Sequence, residues 1–120
     1  MLIRYKKSFE KIAMGLMSFM PTEKELKKLQ KSMRDYEEKE NWQLFLWKED
    51  DIIGLIGIEL EEDSFTIQHI SVIPSHRGQG FGKKMVVALT ETYPNKAVKT
   101  TQYTTAFIEK CDLDEKECSE

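Results

Sequence analysis

From Ile73 to Lys84 the chain reads Ile-Pro-Ser-His-Arg-Gly-Gln-Gly-Phe-Gly-Lys-Lys, with glycines at every second position, 78, 80 and 82. That spacing leaves no side chain between backbone and ligand, so consecutive amide N–H groups can converge on anionic oxygens. The residues before it read as a strand and those after it as a helix, which puts the loop at the positive end of a helix dipole. Arg77, Lys83 and Lys84 bring positive charge to the same place. The chemistry this suits is holding a pyrophosphate.

Spacing narrows the kind of phosphate site. A Walker A loop requires glycine five positions before the Gly-Lys pair and Ser or Thr after it; here Arg77 and Lys84 stand there. A dinucleotide fingerprint beginning at Gly78 requires glycine at position 83, which is Lys83, and a carboxylate some twenty residues on. That region, Val98-Lys99-Thr100-Thr101-Gln102, has none.

The remaining pattern, Val72-x-Pro74-x-x-Arg77-Gly78-x-Gly80-x-Gly82 between a strand and a helix, resembles the coenzyme A pyrophosphate loop of the GNAT superfamily of acyl-CoA N-acyltransferases. The resemblance implies acetyl-CoA or coenzyme A as the acyl carrier; the residues themselves, with no Cys/His cluster, lead to the expectation of no metal. It implies that Arg77, Gly78, Gln79, Gly80, Phe81, Gly82 and Lys83 hold the pyrophosphate. In that family the strand before the loop splays from the next parallel strand, and pantetheine lies in the opening as if it were an added strand. Ile70, Ser71 and Val72 take that role here, with a backbone N–H near Val72 set to polarise the thioester oxygen, and Phe107 packs on the pantetheine arm. Thr105-Ala106-Phe107-Ile108-Glu109-Lys110-Cys111 resembles the family segment whose tyrosine is the general acid, but Ile108 stands at that tyrosine. An isoleucine donates no proton, which leaves water or a neighbour such as Tyr103 as donor.

No catalytic base is assigned by the sequence. Glu59 is placed either to orient a water at the acyl cleft or as a polar residue at a strand end. His69 is either a satisfied core histidine or a base, since one of His69 and Ile70 faces the cleft. His76 is either exposed or touches phosphate.

These residues must be positioned by a small single domain. The chain has 120 residues, 40% hydrophobic and 32% charged, with net charge −3, enough for one modest core and without the polybasic stripe of a nucleic-acid binder. The longest apolar run, Ile52 to Ile58, is too short for a membrane span, and the N-terminus lacks a signal-peptide core, so a cytoplasmic protein is expected. Cys111 and Cys118 make no disulfide framework, and no Cys/His cluster has metal-ligand spacing.

Periodicity supplies the elements. Leu2 to Lys6 reads as a strand, and apolar residues 9, 12, 13, 16 and 20 predict an amphipathic helix over Phe9 to Met20. Thr22-Glu23-Lys24-Glu25 reads as a capping box for a second helix carrying Leu26, Leu29, Met33 and Tyr36 to about residue 39. Gln43 to Lys48, Ile52 to Leu60 and Phe65 to Ile73 predict an antiparallel meander, the middle strand apolar on both faces and so central. A helix over Gly82 to Tyr93, a strand over Ala97 to Gln102 and a helix over Thr104 to Cys111 complete the order. The fold class expected is α/β (α+β): a GNAT-like mixed sheet, antiparallel meander plus one parallel strand, flanked by four helices and C-terminally truncated relative to the family. The domain is expected over residues 1–111, with an acidic, disordered tail over 112–120. The final strand then presents an open edge through which a homodimer can complete the sheet.

Beyond the loop, Met1 to Leu16 and Leu44 to Asp50 resemble the short RibT-type members of the superfamily associated with riboflavin biosynthesis. The function implied is an acetyl-CoA-dependent N-acetyltransferase acting on a small-molecule amine, with no nucleic-acid or membrane partner. The alternative is a catalytically degenerate acyl-CoA-binding module with a regulatory or interaction role.

Overall fold

The computed structural model describes residues 1–107. Along the chain run β1 (Leu2–Arg4), α1 (Glu10–Met17), a 3-10 turn (Pro21–Glu23), α2 (Leu26–Glu38), β2 (Trp42–Lys48), β3 (Ile52–Leu60), β4 (Ser64–Val72), α3 (Phe81–Thr92) and β5 (Ala97–Thr100). Residues 102–107 are helical and are called α4 here. The sheet order is β1-β2-β3-β4-β5, antiparallel up to β4 and parallel between β4 and β5. This is the mixed α/β sheet with four helices that the periodicity predicts. Ile108, Cys111, Cys118 and the tail over 112–120 lie outside the described residues.

The sheet is covered on both faces, which is why β3 is apolar from Ile52 to Ile58. Ile56, Ile58, Phe65, Ile67, Ile70 and Val72 pack with Phe81, Met85 and Leu89 of α3. Leu44, Leu46 and Leu55 pack on the opposite side with Ala13, Leu16 and Met17 of α1 and Leu29, Met33 and Tyr36 of α2. Leu46, Leu55, Ile56, Ile58 and Met85 are wholly buried, each stabilising the fold by about 1.5–3 kcal/mol.

Three expectations about the first two helices are corrected. The first helix ends at Met17, because Ser18, Phe19 and Met20 turn out of it: the Ser18 hydroxyl donates to Gly15 O, and the N–H groups of Phe19 and Met20 donate to Leu16 O and Met17 O. Ile12 and Leu26, read as core, are 47% and 62% exposed, on the outer sides of their helices. The capping box does not form. The second helix starts at Leu26 with Glu25 as its N-cap residue and no side-chain cap, while Glu23 is drawn into the interior.

β4 is shaped by two features. A bulge places Gly57 opposite His69 and Ile58 opposite Ile67, leaving Gln68 without a partner on β3. An extra residue of this kind bends its strand and sharpens the local twist. Pairing with β5 runs from Ser64 to Ile67 and stops just before the bulge, where β5 itself ends at Thr100. The Thr104 hydroxyl, fully buried, donates to Ile67 O at 2.9 Å and fastens the start of α4 to β4 where the pairing ends.

Candidate functional site

Beyond Ile67, one edge of β4 is open. Ile73 N–H donates to Ile53 O on β3, and in an antiparallel ladder alternate residues turn their backbone groups to opposite sides. Ile70 and Val72 therefore aim theirs at the open edge. Their partners agree: Val72 O accepts from Arg77 Nε at 2.9 Å, and Ile70 N–H donates to the thioether Sδ of Met20 at 3.3 Å.

That edge forms one wall of a cavity of about 340 Å³. Ile70, Ser71 and Val72 line it from β4, Phe19 and Met20 from the turn after α1, and Tyr103, Ala106 and Phe107 from α4. Its mouth is the glycine loop, with His76, Arg77, Gly78, Gly80, Phe81 and Gly82 lining it. Gly78 and Gly80 have φ of 78° and 80°, a region in which a side chain is strained, and Gly80 is the N-cap residue of α3. Lys84 N–H is bonded to Gly80 O, the first intrahelical bond of α3. The amides of Phe81 and Gly82 precede it in the first turn of the helix, where N–H groups favour anions.

Arg77 is held by its bond to Val72 O and stacks on the Phe19 ring, 5.2 Å from guanidinium to centroid. His76 accepts from or donates to the Ser75 hydroxyl at 2.9 Å and lies against Phe81. Gln79 and Lys83, expected with the loop, do not line the cavity. Gln79 Nε2 reaches back to Ser75 O at 3.4 Å, and Lys83 lies on the face of α3 that meets Trp47. Tyr103 is half-exposed at the cavity wall.

The three candidate acid–base groups fall in different places. Glu59 Oε1 accepts from Gln68, the bulged residue, at 3.1 Å. His69 is 5% exposed and has both ring nitrogens engaged. Its Nε2 lies 2.7 Å from Glu23 Oε1, which also accepts from the Ser32 hydroxyl at 2.9 Å, and its Nδ1 lies 2.5 Å from the Tyr36 hydroxyl. A carboxylate oxygen only accepts, so Nε2 carries a hydrogen toward Glu23, and in the neutral ring Nδ1 accepts from the Tyr36 hydroxyl. This chain of four side chains stands behind the cavity wall and joins the turn at Glu23, helix α2 and strand β4. Among the described residues two buried side-chain oxygens have no hydrogen-bond partner, Glu23 Oε2 and the Ser71 hydroxyl, and Ser71 lines the cavity.

Burial pushes the Tyr36 phenol well above its ordinary value, and the charges of Glu23, Asp35 and Glu59 push it further the same way. A raised folded value means that stability present below pH 10 is lost as pH rises toward the folded value. In an alkaline titration the phenolate absorbance of Tyr36 is expected to appear together with unfolding, and Tyr36→Phe removes that coincident step. Tyr5, pushed up to about 12 by burial and by its bond to Glu37, is the other late group. A Tyr36 phenolate formed with the circular dichroism unchanged would contradict the buried placement.

The turn after α1, Glu23, Tyr36 and Thr104 were not singled out in the sequence. Met20 reads there only as the end of an apolar helix face that does not include Phe19, and Thr104 as the first residue of a helix. Among the described residues no group of three or more His, Cys, Asp or Glu side chains is arranged to hold a metal ion, and no helix is long and apolar enough to cross a membrane.

Comparison with known proteins follows the same lines. Residues 10–112 match the model of the Acetyltransferase (GNAT) family. The chain is 63% identical over 115 residues to a Bacillus methanolicus protein named "Uncharacterized N-acetyltransferase in lysA 3'region", covering 94% of this chain and 96% of that one. Among solved structures it is similar to AAC(6')-Iy in complex with the bisubstrate analog CoA-S-monomethyl-acetylneamine, with a TM-score of 0.72, 16% identity, and coverage of 95% of this chain and 88% of that one. It is also similar to the aminoglycoside antibiotic 6'-N-acetyltransferase AAC(6')-Ih from Acinetobacter baumannii, with a TM-score of 0.71, 14% identity, and coverage of 92% and 88%. At these identities the structural likeness concerns the fold.

Proposed function

Because the chain belongs to the GNAT acetyltransferase family, and is an acetyltransferase on that ground, we propose that it takes acetyl-CoA as donor and transfers the acetyl group to a small-molecule amine. The observation that carries this is one cleft that joins an open strand edge to a glycine loop at a helix N-terminus. The residues present fit the donor. The Ile70 N–H is buried and held only by a thioether, a weak acceptor that a carbonyl oxygen betters. The neighbours AAC(6')-Iy with a CoA-based bisubstrate analog and with CoA support the same reading.

On this reading Arg77, Gly78, Gly80, Phe81 and Gly82 bind the pyrophosphate through amides and one guanidinium. Ile70, Ser71 and Val72 present the strand edge to the pantetheine arm, and Phe107 covers it. Ile70 N–H, the outward-facing donor near Val72, accepts the negative charge that grows on the thioester oxygen as the amine adds. Tyr103 at the cavity wall, or water, supplies the proton to the leaving thiolate; Glu59 and His69, bonded to Gln68 and to Glu23 and Tyr36, do not line the cavity and would act on the amine only through water. Gln79 and Lys83 belong to the loop as supporting residues. The riboflavin association rests on the resemblance of residues 1–16 and 44–50, so flavin-pathway amines belong in any acceptor panel. Acceptor-dependent thiol release from acetyl-CoA across a panel of amines tests this function. Thiol release at background with every amine, in a protein that binds acetyl-CoA, would instead favour the second reading, a binding module that has lost chemistry. Ile108 at the family's tyrosine favours that reading. All four residues of β5 are exposed, which supports a homodimer through that edge; a monomeric mass by light scattering would remove it.

A further inference from the structure

The donor that the transfer reaction needs most is already engaged. Ile70 is 1% exposed, its N–H points into the cleft, and the Met20 thioether sits on it at 3.3 Å. Met20 is itself 5% exposed and lines the same cavity. A thioester oxygen and the Met20 sulfur therefore compete for one hydrogen.

We propose that Met20 is a specificity-determining residue: its sulfur sits on the Ile70 N–H at the position the acyl carbonyl would take, and is exchanged for the thioester oxygen when donor binds. This rests on the acetyl-CoA reading above and deepens it. A thioether suits the exchange because it satisfies a buried N–H only weakly, and an amide or carboxylate in its place would hold on. The unbranched side chain has three rotatable bonds and swings aside without moving backbone. The backbone around it is held independently. Glu23 N–H donates to Met20 O, and the Glu23 carboxylate is anchored on His69 and Ser32, so the turn stays against β4 while the side chain moves. Free coenzyme A has no thioester carbonyl and does not trigger the exchange. The cleft thereby distinguishes the acylated donor from the spent product, releasing coenzyme A into competition with Met20 at the end of each turnover.

The test uses three stable probes with the wild-type chain and Met20→Leu: coenzyme A, ethyl-CoA, which has the added carbons without a carbonyl, and acetonyl-CoA, which has the carbonyl. Leucine keeps the apolar volume and removes the acceptor. Met20→Leu is expected to tighten acetonyl-CoA about fivefold to tenfold, the order that one competing hydrogen bond is worth, with ethyl-CoA and coenzyme A shifting less than about twofold. In the ligand-free variant the Ile70 amide exchanges with solvent faster than in the wild type, a readout that needs no ligand. An acetonyl-to-ethyl preference that Met20→Leu leaves unchanged overturns the proposal while the acetyl-CoA reading stands. Binding of none of the three by the folded wild-type chain overturns both.

Discussion

Gly80→Glu is expected to weaken coenzyme A and acetyl-CoA binding at least about a hundredfold in a protein that still folds. Gly80 has φ of 80°, caps α3 and lines the cavity mouth. A glutamate there puts a carboxylate among the first-turn amides where the pyrophosphate lies, so like charges meet at the one place the loop has arranged for an anion. The left-handed backbone costs a side chain about 1–2 kcal/mol, which leaves most of a domain's stability in place. Calorimetric titration reads the loss and circular dichroism reads the fold. Gly78→Ala separates the two causes: φ is 78° there too, but a Cβ meets no atom within 4 Å, so the variant carries the strain without the charge and keeps more of the affinity. Undiminished binding by folded Gly80→Glu would remove the glycine loop from the site.

The largest effect on stability is expected from Gly57→Ala. A Cβ at position 57 would overlap the hydroxyl and ring of Tyr36, which lies directly over this glycine on the central strand. Tyr36 has no slack. It is 8% exposed, packs edge-on against Trp42 and is hydrogen-bonded to His69. One methyl group therefore displaces an aromatic side chain and leaves Nδ1 of a buried histidine without a partner. Overpacking and an unmade buried hydrogen bond together cost about 3 kcal/mol or more. For a domain of this size that lowers the melting temperature by more than about 10 °C. A thermal melt indistinguishable from wild type would show that Tyr36 does not lie over Gly57.

The two predictions draw on parts of the molecule that differ in how openly the sequence carries them. The loop is legible because its chemistry is local: three glycines, an arginine and a proline within nine residues declare a backbone site. The central place of β3 is legible because a strand buried on both faces must be apolar at consecutive positions. The buried chain of Glu23, His69 and Tyr36 is not. Its members lie 46 and 33 residues apart, and each fits a bland local pattern: an acid in a helix start, a histidine in a strand, a tyrosine on an apolar stripe. Thr22 to Glu25 satisfies the capping-box spacing, but burial against His69 and Ser32 outcompetes a cap bond worth about 1 kcal/mol. Lys83 adjoins the loop in sequence, yet the helical turn that begins at Phe81 carries its side chain to the Trp47 side. The bulge left a trace that periodicity alone can find: the large apolar residues of the strand run 65 and 67, then 70 and 72, a change of phase at Gln68.

That change of phase means that the fold and its opening are written separately. With Gln68 removed, Phe65, Ile67, Ile70 and Val72 alternate without interruption, every side chain keeps its layer, and Ile67 and His69 keep their partners on β3. What disappears is the bend in β4 beside the cleft. A chain shortened by that single residue has the composition of both cores intact and a straighter strand along the cleft wall. It would be a well-packed protein whose cleft has lost its curved wall.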